Sequence, residues 1–216
     1  MLKTNAYVDG FNFYYGCIKG TPYRWLNILK LCQIEFPNNS IHRIRYFTAP
    51  VKARPNDLHQ PVRQQTYLRA LRTLPNITIH EGEFLSSPVR MMLVQPPASG
   101  PFTVEVWKTE EKGSDVNLAT WLLLDAFDKD CEAAIVISND SDLAEPIYQT
   151  RRRLAVKVVV LHPLRTATLG NKPHPNYKLV RAASKSVVIQ EASLRASLFP
   201  PVLTDANGTI TKPLGW

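Results

Sequence analysis

Acidic residues that follow two short apolar runs are the parts of this chain best suited to chemistry. Asp9 comes directly after the run 6–8, and Asp140 and Asp142 follow the longer run 133–138. Because ligands of open α/β sheets bind beyond the carboxyl ends of the strands, acids in these places are candidates for a site. One Asp there is explained by helix capping alone, but two acids in three residues exceed what one cap needs.

A fourth acid, Asp115, lies in the first turn of a predicted helix that begins after Gly113. The helix dipole favours an acid there, which is a sufficient structural reason for it. If runs 6–8 and 133–138 are neighbouring parallel strands, all four acids converge at one edge of the sheet. Carboxylates that close together repel one another unless cations neutralise them, and all-oxygen ligands favour Mg²⁺ or Mn²⁺ over zinc. Such a site can activate water for attack on a phosphodiester.

Strands and helices alternate along the chain, which is the arrangement that builds such a sheet edge. The predicted strands are 6–8, 41–47, 77–83, 133–138, 157–161 and 186–189. The predicted helices are 23–32, 57–74, one from 115 to about 130, one that follows Asp142, and 177–183. The pattern predicts an α/β fold, a three-layer α/β/α sandwich around a mainly parallel central sheet.

Two segments depart from the alternation of strands and helices. Residues 91–94 and 103–107 are separated by a Pro-rich loop and predict an inserted hairpin near the sheet edge. The chain shows no internal repeat, so residues 1–190 are predicted to form one domain. Residues 191–216, with an Asn-Gly turn at 207–208, are predicted to be a tail that packs on the domain or extends from it.

The amino-acid composition limits which partners and which cellular compartment are expected for this protein. The chain has 216 residues, of which 44% are hydrophobic, and a formal net charge of +8 that suits a polyanionic partner but also serves solubility. Cys17, Cys32 and Cys131 are too few and too widely spaced for a disulfide framework or a zinc motif, so a reducing cytoplasm is expected. Neither a signal peptide nor an apolar run of roughly 18 residues is present, so no membrane partner is predicted.

Three short motifs occur in order along the chain: VDGFN at 8–12, EKGSD at 111–115 and VISNDSDL at 136–143. They resemble the signatures of the NYN family, which are PIN-like ribonuclease domains, and in particular its stand-alone bacterial LabA-type members. The resemblance covers about residues 5–190. It implies that Asp9, Asp115, Asp140 and Asp142 form a divalent-metal centre, that Asn12 supports this centre, and that RNA is the substrate.

Other polar residues are candidates by their position in the sequence. Ser138 ends the apolar run before Asp140, and Lys112 lies three residues before Asp115, near enough to contact a scissile phosphate or to remain solvated. The candidates for RNA contacts are Arg43, Arg45, Arg54, Arg151 and Arg152. The last two end a predicted helix, where the helix dipole alone favours cations.

The predicted function is hydrolysis of RNA by a metal-dependent endoribonuclease whose nucleophile is water. No Ser-His or Cys-His pair suggests a covalent intermediate. Two alternatives stay open: a catalytically silent RNA-binding or regulatory module of the same fold, and a toxin-type nuclease paired with an antitoxin. The four acids count against a silent module, because a pure binder has no reason to hold like charges together. A small-molecule phosphohydrolase is disfavoured by the charge of +8 and by the lack of a substrate cap.

Overall fold

A computed structural model describes residues 1–164 and 174–216. The strands in chain order are β1 (Leu2–Asp9), β2 (Asn39–Thr48), β3 (Ile77–Glu81), β4 (Glu83–Met92), β5 (Thr103–Lys112), β6 (Ala133–Ile137), β7 (Lys157–His162), β8 (Lys185–Val188), β9 (Val202–Asp205) and β10 (Gly208–Thr211). The helices are α1 (Gly10–Phe13), which continues as a π-helical turn over Tyr14–Ile18, then α2 (Ile28–Glu35), α3 (Gln60–Leu71), α4 (Ser114–Phe127), α5 (Ala144–Arg153), α6 (Tyr177–Ala182) and α7 (Glu191–Ala196). A 3₁₀ turn over Ser141–Leu143 precedes α5.

The central sheet has six parallel strands in the order β3-β2-β1-β6-β7-β8. Strand order reverses between β1 and β6, which is the switch point where α/β sheets bind ligands. Val8 pairs with Ile137, so Asp9 and Ser138 emerge side by side at the carboxyl edge. The predicted α/β/α sandwich is therefore confirmed, with β1 and β6 adjacent.

The apolar runs of the central strands are explained by burial on both faces of the sheet. All five residues of β6 are buried. In β1, Ala6 and Val8 belong to the core cluster that contains Trp25 and Leu68, whereas Tyr7 belongs to the cluster on the other face. These two clusters form the interfaces between the three layers.

The inserted hairpin is longer than predicted and forms a separate two-stranded sheet. Strands β4 and β5 pair antiparallel along ten residues each, from Glu83 opposite Lys112 to Met92 opposite Thr103. Most of the hairpin is exposed, so its sequence lacks the alternation that burial of one face imposes. The predicted strand 77–83 ends at Glu81, and Gly82 lies so close to the hairpin base that a Cβ there would clash with the Lys112 carbonyl oxygen.

Two helices have boundaries that differ from the prediction. The helix predicted over 23–32 is α2, which begins only at Ile28, because Leu26 forms a β-bridge with Leu198 and Asn27 caps the helix. The helix predicted over 57–74 is the shorter α3, because Arg54 and Asp57 bridge each other before it begins.

The C-terminal segment packs against the helices on one side of the sheet. The ring of Phe199 lies 5.8 Å from that of Trp25, and Arg69 of α3 donates to Asp205 of β9 at 2.7 Å. Among the described residues, no helix combines the length and apolar character that spanning a membrane requires.

Candidate active site

Asp9 is the most deeply placed acid at the carboxyl edge of the sheet, with 4% of its surface exposed. It caps α1, because its Oδ1 accepts the Asn12 amide N–H at 2.9 Å. Its Oδ2 accepts the Ser138 hydroxyl at 2.9 Å, across the pairing of β1 with β6. Burial is the main cause that raises the pKa of Asp9, and the Asp140 and Glu111 carboxylates raise it further.

The loop after β6 is tied to the loop after β1 by side-chain hydrogen bonds. The Ser138 hydroxyl accepts the Asp140 amide N–H at 3.0 Å, and Asn12 Oδ1 accepts the Asn139 amide N–H at 2.8 Å. Asp140 caps the following 3₁₀ turn by accepting the Asp142 amide N–H at 3.0 Å. Capping explains the position of Asp140 in the turn, and within residues 1–164 and 174–216 its Oδ2 has no hydrogen-bond partner.

Asp115 reaches the same edge from the start of α4. Gly113 turns the chain from β5 into this helix with a φ of 99°, a conformation that favours glycine. The Glu111 carboxylate accepts both the amide N–H and the hydroxyl of Ser114, at 3.2 and 2.6 Å. The hairpin base and the helix start are thereby held together, with Asp115 and Glu111 side by side.

A cavity of about 520 Å³ opens between these acids and the loop after β2. Its acidic wall comprises Asp9, Asp115, Asp140 and Glu111. Its other polar and aromatic lining residues include Asn12, Phe11, Tyr15, Lys52, Arg54 and Phe84. The hairpin reaches over this space because the Phe84 ring packs edge-on against Phe11, with ring centroids 5.5 Å apart.

Mutual repulsion among the carboxylates is a property of this cavity. The pKa of Asp115 is raised to about 6, mainly by burial and then by the Asp9, Asp140, Glu111 and Asp142 carboxylates. A carboxyl whose ionised form is this unfavourable gains from a bound cation, because the cation offsets the repulsion.

The donor chemistry fits a divalent metal ion, although the carboxylates do not already surround a single point. Within the described ranges 1–164 and 174–216, no three Asp, Glu, His or Cys side chains are placed to hold one ion together. Carboxylate oxygens are the ligands that Mg²⁺ and Mn²⁺ prefer. Binding of an ion in the cavity therefore requires the half-buried carboxylates of Asp115, Asp140 and Glu111 to turn toward it.

The model of the NYN domain family matches residues 3–190. This chain belongs to the NYN family. The match spans the sheet, the hairpin and every acid of the cavity, and membership gives the chain a nuclease-type fold.

Similarities to individual proteins add to the family match of this NYN protein. It is 32% identical to 6-hydroxy-3-succinoylpyridine 3-monooxygenase HspA of Pseudomonas putida over 246 aligned residues, which cover 100% of this chain and 75% of that enzyme. Its fold resembles the crystal structure of a protein of unknown function from Vibrio parahaemolyticus, with a TM-score of 0.54 and 16% identity over 92% of this chain and 96% of the other. The second likeness concerns the fold alone, and the first names an oxygenation rather than RNA cleavage.

Asp142 and Lys112 lie beside the acidic cavity of the NYN domain and do not line it. Asp142 is exposed and lines an outer cleft of about 530 Å³, which Asp115 and Glu111 also border from their side. Lys112 lines that cleft as well, and its Nζ lies 3.4 Å from Glu110. Asp115 and Glu111 therefore separate the cavity with Asp9 and Asp140 from the cleft with Asp142.

The five candidate arginines are placed very differently. Arg54 is exposed and lines the cavity. Arg43 donates to Asp130 at 2.9 Å and lies five residues, about 16 Å, before the carboxyl end of β2. Arg151 donates to the Ala183 carbonyl at 2.7 Å, and Arg152 is exposed in the last turn of α5, the end remote from Asp142.

Arg45 contradicts the expectation that it contacts RNA. It is 5% exposed and donates to both oxygens of Asp125, at 2.6 and 2.7 Å. Its guanidinium also lies over the Trp121 ring, 3.8 Å from the centroid. The side chain is therefore a buried structural cation between β2 and α4. Alternate side chains of a strand point to opposite faces of the sheet, and Arg45 lies on the face that α4 covers.

Sequence reasoning overlooked Glu111 and Lys52 as cavity residues. Glu111 stands inside the EKGSD motif, and its place before the helix start is the signal that could have indicated it. Lys52 follows β2 in an irregular loop, where no periodicity reports the direction of a side chain. Only the closure of the hairpin and this loop over the acids brings both residues to the cavity.

The buried His162 contacts the side chain of Asn139 in the loop after β6. Oδ1 of Asn139 accepts the Asn176 amide N–H at 2.8 Å and lies 2.7 Å from His162 Nδ1. His162 Nε2 lies 2.6 Å from the Ser186 hydroxyl, so Nδ1 donates and Nε2 accepts in a neutral ring. His162 is fully buried, and burial lowers its pKa to about 4.

This buried imidazole predicts a loss of stability in mild acid. His162 takes up its proton near pH 6.5 in the unfolded chain, but only near pH 4 in the folded protein. The neutral ring therefore contributes its full stabilisation to the fold above pH 6.5, and this stabilisation is lost as the pH falls toward 4. We expect His162 to lower the free energy of unfolding by up to about 3 kcal/mol over this window. Urea unfolding of the wild type and of His162→Gln at several pH values measures this change. If the free energy of unfolding depends on pH equally in the two proteins, the prediction is contradicted.

Proposed function

We propose that this NYN protein is a divalent-metal-dependent endoribonuclease that hydrolyses RNA phosphodiester bonds. The observation that carries the proposal is the cavity at the switch point of the sheet, with acids on one wall and basic residues on the other. Asp9, Asp115 and Asp140 line one side of it, and Lys52 and Arg54 line the other. A phosphate polymer needs both parts, since cations bind its backbone and an acid-held metal ion acts on one phosphate.

Each residue of the cavity has a role that follows from its contacts. Asp9, Asp115 and Asp140 would hold Mg²⁺ or Mn²⁺, with Asp142 and Glu111 adding negative charge from beside them. The chemistry supplied at such a site is activation of a water molecule and neutralisation of charge on the phosphodiester. Ser138 and Asn12 position Asp9 and the Asn139 loop through their hydrogen bonds. Lys52 and Arg54 would bind the RNA phosphates.

The direct test is incubation of purified protein with an end-labelled single-stranded RNA, a structured RNA and a single-stranded DNA. Reactions contain Mg²⁺, Mn²⁺ or EDTA, and products are resolved by denaturing electrophoresis. We expect internal cleavage of RNA with either metal and none with EDTA. Tight RNA binding without cleavage under any of these conditions would instead favour a silent RNA-binding module.

Arg54→Gln is predicted to weaken RNA binding through the loss of one phosphate contact. For single strands, removing one contact should make the slope of log affinity against log salt shallower by about 0.7. Arg43→Gln is the matched control, because Arg43 pairs with Asp130 well before the carboxyl edge. Fluorescence anisotropy with labelled RNA over a salt series measures the affinity and its salt dependence for both variants. A larger effect of Arg43→Gln than of Arg54→Gln would indicate that Arg43, and not Arg54, contacts the RNA.

A second candidate function comes from the relative that aligns with the whole chain. HspA is named as a monooxygenase of 6-hydroxy-3-succinoylpyridine and is 32% identical to this protein. A monooxygenation places one oxygen atom of O₂ in the substrate and reduces the other to water with two electrons from a reductant. The test is loss of 6-hydroxy-3-succinoylpyridine under air with a nicotinamide reductant, followed by chromatography. Turnover there, without RNA cleavage, would replace the nuclease proposal.

A further inference from the structure

A second cavity, which we call the tyrosine cavity, lies next to the acidic one on the other side of Phe11 and Tyr15. It measures about 340 Å³, within the range of small-molecule sites. Its inner lining is aromatic and aliphatic: Phe13, Leu26, Tyr46, Tyr67 and Leu68. The rings of Tyr46 and Tyr67 meet edge-on with centroids 6.4 Å apart and form part of this aromatic lining.

The tyrosine cavity also carries positive charge that the fold does not neutralise. Of its charged lining residues, Asp57 pairs with Arg63. Within residues 1–164 and 174–216, neither Lys19 nor Arg24 forms an ion pair. Lys19 lies over the Tyr15 ring at 4.8 Å, which leaves its ammonium exposed at the side of the cavity.

Arg24 supplies the second, independent observation. Its Nη1 donates to the Gly215 carbonyl at 3.3 Å, but in the described part of the chain its buried Nε has no hydrogen-bond partner. An unsatisfied buried donor is costly, and more so on a charged group. The protein encloses Nε, so a ligand does not reach this atom. An anionic group in the cavity that Arg24 lines would instead pair with the charge of the guanidinium, which no carboxylate neutralises within residues 1–164 and 174–216.

We propose that the tyrosine cavity binds a planar aromatic ring that carries a negatively charged group. The ring of the ligand packs against the aromatic lining, and Arg24 and Lys19 bind its negatively charged group. Two sources have this chemistry: a nucleotide unit of RNA, and a free aromatic carboxylic acid. The site is distinct from the acidic cavity, so ligand binding there does not depend on nuclease activity.

The experiment is isothermal titration calorimetry of the full chain in EDTA, which keeps metal ions out of the acidic cavity. The anionic probes are uridine 5′-monophosphate and nicotinate, and uridine and nicotinamide are their neutral counterparts. We expect at least one anionic probe to bind about tenfold more tightly than its neutral counterpart, the effect of one charge-assisted hydrogen bond. Tighter binding of the nucleotide indicates RNA as the source, and tighter binding of nicotinate indicates a free aromatic acid.

Variants locate the binding site. Arg24→Gln should weaken the anionic probe about tenfold and leave the neutral one unchanged, with Lys19→Gln as a second variant that does not touch the interior. Asp115→Asn is the control in the neighbouring cavity and should leave probe binding unchanged. The proposal is overturned if neither anionic probe binds at low millimolar concentration, if neutral probes bind equally well, or if both cation variants bind like the wild type. Loss of RNA cleavage in Asp115→Asn with intact probe binding separates the two sites.

Discussion

Asp140→Asn is expected to lower RNA cleavage by at least about 100-fold, because even residues that only support metal ligands cost 10–100-fold when changed. The fold should tolerate the change, since asparagine caps helices as well as aspartate and can still accept the Asp142 amide N–H. RNA affinity should be retained, because the phosphates are bound by basic residues. Initial cleavage rates in Mn²⁺ and anisotropy in EDTA measure the two effects separately.

The metal-free protein gives a second readout for the same variant. Asp140 raises the pKa of both Asp9 and Asp115, so its neutralisation relieves repulsion. The melting temperature of metal-free Asp140→Asn should therefore equal or exceed that of the wild type, and Mn²⁺ should raise it less. Asp128→Asn is the matched control, because Asp128 is an exposed acid at the other end of α4. If Asp140→Asn melts lower yet cleaves at the wild-type rate, Asp140 is only a cap.

Arg45→Met is expected to destabilise the fold by about 3–5 kcal/mol, because it leaves a buried carboxylate without its cation. Asp125 is 4% exposed and also accepts the Tyr7 hydroxyl at 2.8 Å. The variant also loses the stacking of the guanidinium on Trp121. Urea unfolding followed by circular dichroism measures the change in the free energy of unfolding.

The double variant Arg45→Met with Asp125→Leu separates the pair from the packing. It should recover much of the lost stability, since replacing both members of a buried ion pair with apolar groups is often neutral. RNA affinity per folded molecule should be the same in Arg45→Met and the wild type. A variant that keeps full stability but loses RNA binding would restore Arg45 to the RNA interface.

The sequence by itself determined the sheet and the approximate place of the acids. Burial on both faces leaves β1 and β6 as apolar runs, and each run stops where an acid or its loop begins, so the pattern alone places Asp9 and Asp140 at strand ends. The position of Asp115 is equally evident, because a glycine and a helix start are local features. The sequence analysis predicted only that runs 6–8 and 133–138 are neighbours, and the full strand order came from the structure.

Only the tertiary structure decided which side chains share the cavity. Arg45 and Arg54 are both arginines at or just beyond β2, yet one is buried against Asp125 and the other lines the cavity. Asp140 and Asp142 lie on opposite sides of Asp115 and Glu111, which the base of the hairpin and the start of α4 bring between them. The tyrosine cavity joins Tyr46, Tyr67 and Arg24 from separate elements. Which residues become neighbours depends on packing between elements that are distant in sequence. The periodicity of the sequence contains no information about that packing.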